Sequence, residues 1–273
     1  MNLPAALARV LAAALRHPGR SLRHALDLAA DLEGRRRAAA LGFARGFPSV
    51  ELTTLTGPLD LTIDPFTFLD GTSRVTDLAL LVGLARRLPN AEYLEIGSWR
   101  GESLVNVARH AASAVSVSLS EAEMRALGLE SQYLGMDGMF LDRVTNVTRV
   151  RQDSTTLDFE SLGRRFDLIF VDGDHHHDAV VSDTRNAFRM LRDDRSVIVW
   201  HDCGNSYEDF RWEVVSSVLA GTPPELRHQL YRVSHSLCGV FTRAPIESGF
   251  PSFPAEPREL FDVTIRSRPF ARG

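Results

Sequence analysis

Two aspartates and a run of histidines offer the densest chemistry in this chain. The stretch FDLIFVDGDHHHDAVVSDTRNAFRMLRDDRSVIVWHD, Phe166 to Asp202, contains two apolar runs that each end on an acid. FDLIFV is followed by Asp172, and SVIVW by His201 and Asp202. Near-continuous apolar runs of this length read as strands of a buried parallel sheet. If the two strands are neighbours, their tips stand about 5 Å apart. Two carboxylates that close repel unless something lies between them. A hard divalent cation such as Mg²⁺, which takes oxygen ligands and keeps several waters, fits that gap. Such an ion would lower the pKa of an incoming hydroxyl and orient it. The turn after Asp172 adds Asp174 and His175, and a histidine can take a hydroxyl proton near neutral pH. His176 and His177 read as solvated or supporting groups.

The second informative stretch is AEYLEIGSWRGES, Ala91 to Ser103. Tyr93 to Ile96 reads as a short buried strand, Gly97-Ser98-Trp99-Arg100-Gly101 as a tight loop, and Glu102 to His110 as a helix. Strand, glycine loop and helix make a ligand cradle at the carboxyl end of a sheet, where backbone N–H groups at the helix start face a crevice. Gly97 permits a sharp turn off the strand and Gly101 a close approach. A dinucleotide fingerprint needs glycine where Trp99 stands, which argues against a nicotinamide-binding oxidoreductase.

With its acid-x-Gly-x-x-x-Gly spacing (Glu95, Gly97, Gly101), the loop resembles the first motif of class I S-adenosylmethionine-dependent methyltransferases. Together the two stretches resemble the metal-dependent small-molecule O-methyltransferases, which include catechol and antibiotic-sugar enzymes. The resemblance covers about residues 75–243. It implies a doubly wound α/β fold with a seven-stranded, mostly parallel sheet, a closing antiparallel hairpin and an N-terminal helical extension. It implies a cofactor seat of Glu95, Gly97, Ser98, Trp99, Gly101, Ser103, Ser118, Asp153, Ser154 and Asp172. It also implies a cation site of Asp172 and the pair His201-Asp202, where His201 replaces the usual oxygen ligand and so admits Mn²⁺ or Zn²⁺ beside Mg²⁺. His175 falls where catechol enzymes carry a lysine base, and Asp174 where sugar enzymes carry an acid. The ribose-binding acid at the end of the second strand is missing. Ser118 stands there, with Glu121 one turn later. Asp153 reads equally well as a turn residue.

The implied reaction is methylation of a hydroxyl on a sugar or other small bacterial metabolite. Three alternatives remain open: a metal-independent methyltransferase, a non-enzymatic Rossmann-like protein, and a membrane-associated factor acting through its first 46 residues.

Composition bounds these readings. The chain has 273 residues, a formal charge of −4 and 44% hydrophobic residues, an ordinary globular make-up with no nucleic-acid signature. All 31 basic residues are arginine, so no lysine can act as base or Schiff-base former. Cys203 and Cys238 make no disulfide framework and suit a reducing cytoplasm. Cys203 reads as a small buried hydrophobe. No apolar run reaches the ~18 residues of a membrane span, and Arg9 and Arg16 interrupt what would otherwise resemble a signal peptide.

Four regions follow. Residues 1–46 form a basic helical extension, with an amphipathic helix over 3–16 and a second starting at an N-cap Ser21. This extension reads as a cap on the domain, a homo-oligomer contact or a membrane-surface arm. Residues 47–72, rich in Thr, Pro and Asp, read as loop with one or two short strands, serving as linker or as cover for a cofactor. Residues 73–245 form the methyltransferase domain. It opens on a helix from Ser73 to Leu88, and its connection 121–146 is expected to wall the acceptor pocket. Trp200 and Trp212 are candidates to stack on an acceptor ring. Residues 246–273 read as a surface tail.

Overall fold

The protein is described here by a computed structural model covering residues 15–270. The expected helix over 3–16 lies almost wholly outside these residues. Its successor α1 runs Pro18–Ala40, with His17 as N-cap and Pro18 in the first turn. Ser21 therefore sits inside the helix rather than capping it. A proline suits the first turn because its missing N–H would have no partner there anyway.

The remaining elements are β1 Ser49–Val50, α2 Leu52–Thr56, α3 Val75–Arg87, β2 Glu92–Ile96, α4 Glu102–Ala108 and β3 Ser113–Ser118. Then come α5 Glu121–Ala126, α6 Ser131–Leu134, β4 Val147–Arg151, β5 Leu168–Val171 and α7 His177–Arg189. The chain closes with β6 Val197–Trp200, α8 Trp212–Gly221, β7 Leu230–Val233 and β8 Gly239–Phe241.

One sheet holds every strand, in the order β1-β7-β8-β6-β5-β2-β3-β4. All neighbours are parallel except β8, which runs antiparallel to both β6 and β7. β5 lies between β2 and β6, so Ile96, Val171 and Trp200 end side by side. The strand order reverses direction between β2 and β5, and ligand crevices of open α/β sheets form at such a point.

The expected seven strands become eight. The two-residue β1 pairs with β7, Ser49 beside Arg232 and Val50 beside Val233. A strand this short has no readable alternation, so its pairing depends on the edge that receives it.

Side chains alternate between two cores, as a pleated strand requires. Leu94, Ile96, Ile169, Val171, Ile198 and Trp200 face α7 and α8. Tyr93, Leu168, Phe170, Val197 and Val199 face α3 and α4. The C-terminal half of α1 packs on α8. Trp212 N donates to Asp31 Oδ1 at 2.5 Å. Gly34 lies so close to the Trp212 carbonyl that a Cβ there would collide with backbone. Trp212 is thus buried beneath α1, with the Arg35 guanidinium 5.5 Å from its ring centre. Trp200 is buried too, donating to Thr184 Oγ1 at 2.9 Å. Neither tryptophan reaches the crevice. No described helix is long and apolar enough to cross a membrane.

Candidate active site

A crevice of about 460 Å³ opens at the carboxyl ends of β2, β5 and β6. Its walls include Gly97, Trp99, Gly101, Ser103, Asp172, His175, His201 and Asp202, so the two stretches singled out in the sequence meet there. Gly97 has φ +95° and Gly101 φ +88°. A Cβ on Gly97 would collide with the Asp172 backbone carbonyl. On Gly101 it would come within 2.8 Å of the Leu141 side chain. Both positions thus demand glycine, for dihedral reasons and for space.

Glu95 does not line this crevice. It is fully buried beneath the loop and accepts hydrogen bonds from Tyr93 Oη at 2.6 Å and from Ser98 Oγ and Ser103 Oγ, each at 2.8 Å. Burial pushes its carboxyl up to about 7, against the pull of those hydroxyl donors. Glu95 therefore acts on the loop through the two serines, and Ser98 is likewise turned inward.

Trp99 stacks on Tyr133 at 4.4 Å with 10° between the planes. Its Nε1 donates to the Tyr133 carbonyl at 3.3 Å. The 121–146 connection thus does supply a crevice wall, through Tyr133 of α6. A second wall comes from the 64–73 segment, which is tied to α4. Glu102 Oε1 accepts from Thr67 N at 2.9 Å, and Glu102 Oε2 accepts from Thr72 Oγ1 and Arg100 Nε, each at 3.1 Å. Asn106 accepts from Asp64 N at 2.8 Å and donates to the Pro65 carbonyl at 3.0 Å.

Three expected cofactor contacts lie elsewhere. Ser118 accepts from Arg151 Nη1 at 3.2 Å. Asp153 closes its own turn, accepting from Thr155 N at 2.8 Å and Thr155 Oγ1 at 2.7 Å. Ser154 lies beside buried Asp183, whose carboxyl burial pushes up to about 6 against the pull of that hydroxyl. Glu121 is exposed and pairs with Arg125 at 2.5 Å. None of these lines the crevice, because short polar side chains at strand ends cap turns as readily as they bind ligands.

Asp174 and His175, adjacent in sequence, part company. Asp174 points outward, accepting from His176 N at 3.0 Å and contacting His176 Nδ1 at 2.5 Å. It closes the turn that starts α7. That bond and charge, outweighing burial, hold the Asp174 carboxyl low and raise His176. His177 faces Ser217 Oγ at 2.8 Å. His175 turns into the crevice with Nε2 3.1 Å from Asp202 Oδ2. The same carboxylate oxygen accepts from Arg211 Nη1 at 2.9 Å.

At the tips of β5 and β6, an imidazole stands where the sequence suggested an ion. His201 Nδ1 is 3.1 Å from Asp172 Oδ1 and 3.1 Å from Asp202 Oδ1, and its Nε2 is 3.1 Å from Asp77 Oδ2. Burial opposes charging of this ring, but Asp172, Asp77 and Asp202 outweigh it and raise its pKa well above the ordinary histidine value. Both nitrogens face carboxylates, an arrangement that favours the protonated ring, and a ring protonated on both nitrogens offers no lone pair to a metal. An Mg²⁺ ion at about 2.1 Å from each ligand holds its donor atoms within about 4.2 Å of one another. Among the described residues, only Glu51, His235 and Glu259 bring three acid or histidine donor atoms within 4.8 Å of each other. Asp172, His201 and Asp202 are not such a set: His201 Nδ1 lies between the two carboxylates, and the three donor atoms are not all within that distance of one another.

Asp77 escaped the sequence reading. It is fully buried on α3 and also accepts from Arg74 N at 2.7 Å and Leu237 N at 2.8 Å. The available signal was an acid inside the apolar helical run VTDLALLVGLARR. Cys203 is fully buried, and burial pushes its thiol up to about 12.

Residues 94–203 match a family model described as a methyltransferase domain. This chain carries a methyltransferase domain. The match spans β2 to the residue after Asp202, so it contains the glycine turn, His175 and both strand-tip aspartates. The methyltransferase's sheet, with β8 reversed between β6 and β7, is the Rossmann-like arrangement of the class I enzymes.

Among solved structures, the O-methyltransferase TomG of Streptomyces achromogenes, determined with SAM, is 17% identical. That likeness covers 64% of this chain and 83% of TomG, at a TM-score of 0.44. The SAH-bound methyltransferase PaMTH1 of Podospora anserina is 16% identical over 65% of this chain and 82% of its own, at 0.45. A cofactor-bound protein from MTB is 22% identical over 65% and 84%, at 0.42. These likenesses assign no substrate or residue role to this chain. No curated protein matches it.

Proposed function

We propose that this methyltransferase moves the methyl group of S-adenosylmethionine to a hydroxyl of a small molecule, with His175 as the base. The observation that carries this reading is the His175–Asp202 contact at the crevice mouth, 3.1 Å long. A carboxylate on Nε2 fixes that nitrogen as the N–H and leaves Nδ1 to accept a proton. Arg211 Nη1 donates to the same oxygen at 2.9 Å and helps hold that carboxylate in place. His175 Nδ1 takes the hydroxyl proton as the oxygen attacks the methyl carbon, and the sulfur leaves with the bonding pair. Bound S-adenosylmethionine supplies an electrophilic methyl carbon on a sulfonium. The protein supplies alignment, which for such a displacement accounts for most of the rate.

Gly97, Trp99, Gly101, Ser103 and Tyr133 would hold the donor. Their common lining of a crevice of about 460 Å³ supports this seat. Segment 64–73 would cover it. Ser73, Arg74, His175 and Asp202 make the acceptor side polar, which favours a hydroxyl-rich acceptor such as a sugar. A protonated His201 would neutralise the paired strand-tip aspartates, work that a cation would otherwise perform.

A second reading, divalent-cation assistance, is favoured by Asp172 and Asp202 standing at neighbouring strand tips. Exhaustive EDTA treatment separates the two. Full methyl transfer afterwards supports the imidazolium reading, and restoration only by Mg²⁺, Mn²⁺ or Zn²⁺ supports the cation. The whole proposal is tested by calorimetry with S-adenosylhomocysteine and with NAD. Binding of the first alone is expected, and its failure to bind ends the proposal.

A further inference from the structure

A second constellation lies outside the crevice, where three distant parts of the chain converge. Glu51 precedes α2, His235 occupies the β7–β8 turn, and Glu259 comes from the C-terminal segment. Each offers one donor atom, and the three atoms lie within 4.8 Å of one another. His235 Nε2 is 3.5 Å from Glu51 Oε2 and 4.0 Å from Glu259 Oε2. Those separations are long for hydrogen bonds. They are close to the roughly 3.4 Å between ligand atoms of a tetrahedral ion with 2.0–2.1 Å bonds.

Three further features point to a ligand. Glu51 Oε2 and Glu259 Oε2 are both buried and have no hydrogen-bond partner, a costly state for a carboxylate oxygen. The other oxygen of Glu259 is engaged, accepting from Thr53 N at 3.3 Å and from Thr53 Oγ1, so the carboxylate is held with its free oxygen toward His235. His235 itself has φ +62°, a conformation a non-glycine residue keeps only when its surroundings impose it. The ring of Phe261 covers the imidazole edge-on at 5.2 Å.

We infer that Glu51, His235 and Glu259 form a binding site for a divalent transition-metal ion, zinc by its preference for imidazole and carboxylate in tetrahedral geometry. Water completes the shell. The ion would satisfy both orphaned oxygens at once. Because Glu259 belongs to the C-terminal segment while Glu51 and His235 flank the sheet edge, it would also clip that segment to the domain. This inference is independent of the methyl-transfer proposal.

The test uses the full chain, freed of metal with a chelator, then titrated with zinc against a chromogenic indicator. Wild type is expected to take up one zinc at this site. Glu259→Gln and His235→Asn should each weaken it at least tenfold. Asparagine tolerates the left-handed backbone, so the second variant tests the ligand rather than the turn. Asp202→Asn, in the crevice, should bind zinc as wild type does. Zinc should also slow tryptic cleavage after Arg258 at least tenfold in wild type and not in the two ligand variants. Melting of the metal-free variants verifies folding, and either variant alone suffices. No zinc uptake by folded wild type overturns the inference. So does uptake that both ligand variants leave unchanged, or that Asp202→Asn alone abolishes. A chain that binds no S-adenosylhomocysteine would still test this site.

Discussion

Glu95→Gln gives the sharpest check on the physical account of the glycine loop. Glu95 is fully buried and its carboxyl is raised from 4.5 to about 7. At about 1.36 kcal/mol for each tenfold change in proton affinity, that displacement corresponds to about 3 kcal/mol. The sign follows from linkage. The unfolded chain releases this proton near its ordinary value and the folded protein only near 7, so the fold binds more protons in between. The stability contributed by protonated Glu95 is fully present below about 4.5 and is lost as pH rises through about 7. Glutamine cannot ionise and keeps one oxygen for the hydroxyls of Tyr93, Ser98 and Ser103. Its own cost, of order 1–3 kcal/mol for imperfect satisfaction of those donors, does not vary with pH. Urea unfolding of both proteins from pH 5 to pH 8 isolates the residue, because every other titrating group cancels in the difference. The wild-type advantage should shrink by about 2.5 kcal/mol across that range, since part of the displacement lies below pH 5. A difference that stays within 1 kcal/mol, or grows with pH, would refute the assignment of Glu95 as a buried carboxyl poised near neutrality.

Other outcomes follow from the same geometry. Gly97→Ala should cost at least a hundredfold in S-adenosylhomocysteine affinity by calorimetry, since its Cβ would enter the Asp172 backbone. His175→Ala should lower kcat by about 10²–10⁴-fold, the range for loss of a general base. Asp174→Ala should leave kcat within about threefold, because Asp174 is spent on His176 outside the crevice; steady-state kinetics with one acceptor would tell them apart. Asp77→Ala should destabilise by roughly 3–5 kcal/mol in urea unfolding, as expected when one partner of a buried ion pair is removed. It strands His201 Nε2 together with the N–H groups of Arg74 and Leu237.

Much of the frame was legible in the sequence because it depends on local rules. The buried strands β2, β5 and β6 announce themselves as apolar runs, and each ends where a glycine, an acid or a histidine stops the hydrophobic pattern. Gly97 and Gly101 are required by backbone geometry that no other residue adopts cheaply. The antiparallel β7–β8 pair was legible as well, since two short apolar runs around a turn can fold back on each other. These features place a crevice over Gly97 with Asp172, His175 and Asp202 at its rim, and they came from the amino-acid order alone.

What the order alone left open was set by partners far away in the chain. Asp174 and His175 are both candidate bases by position, with His175 preferred; the start of α7 takes Asp174 outward and leaves His175 facing Asp202. Asp77, brought in by α3, holds the His201 ring between Asp172 and Asp202, a contact that no local pattern announces. The strand β1 exists because the edge of β7 offers unpaired backbone groups, not because Ser49 and Val50 prefer extension. Local pattern fixes where a chain turns and which side is apolar; a side chain's charge state and direction depend on what other elements set beside it.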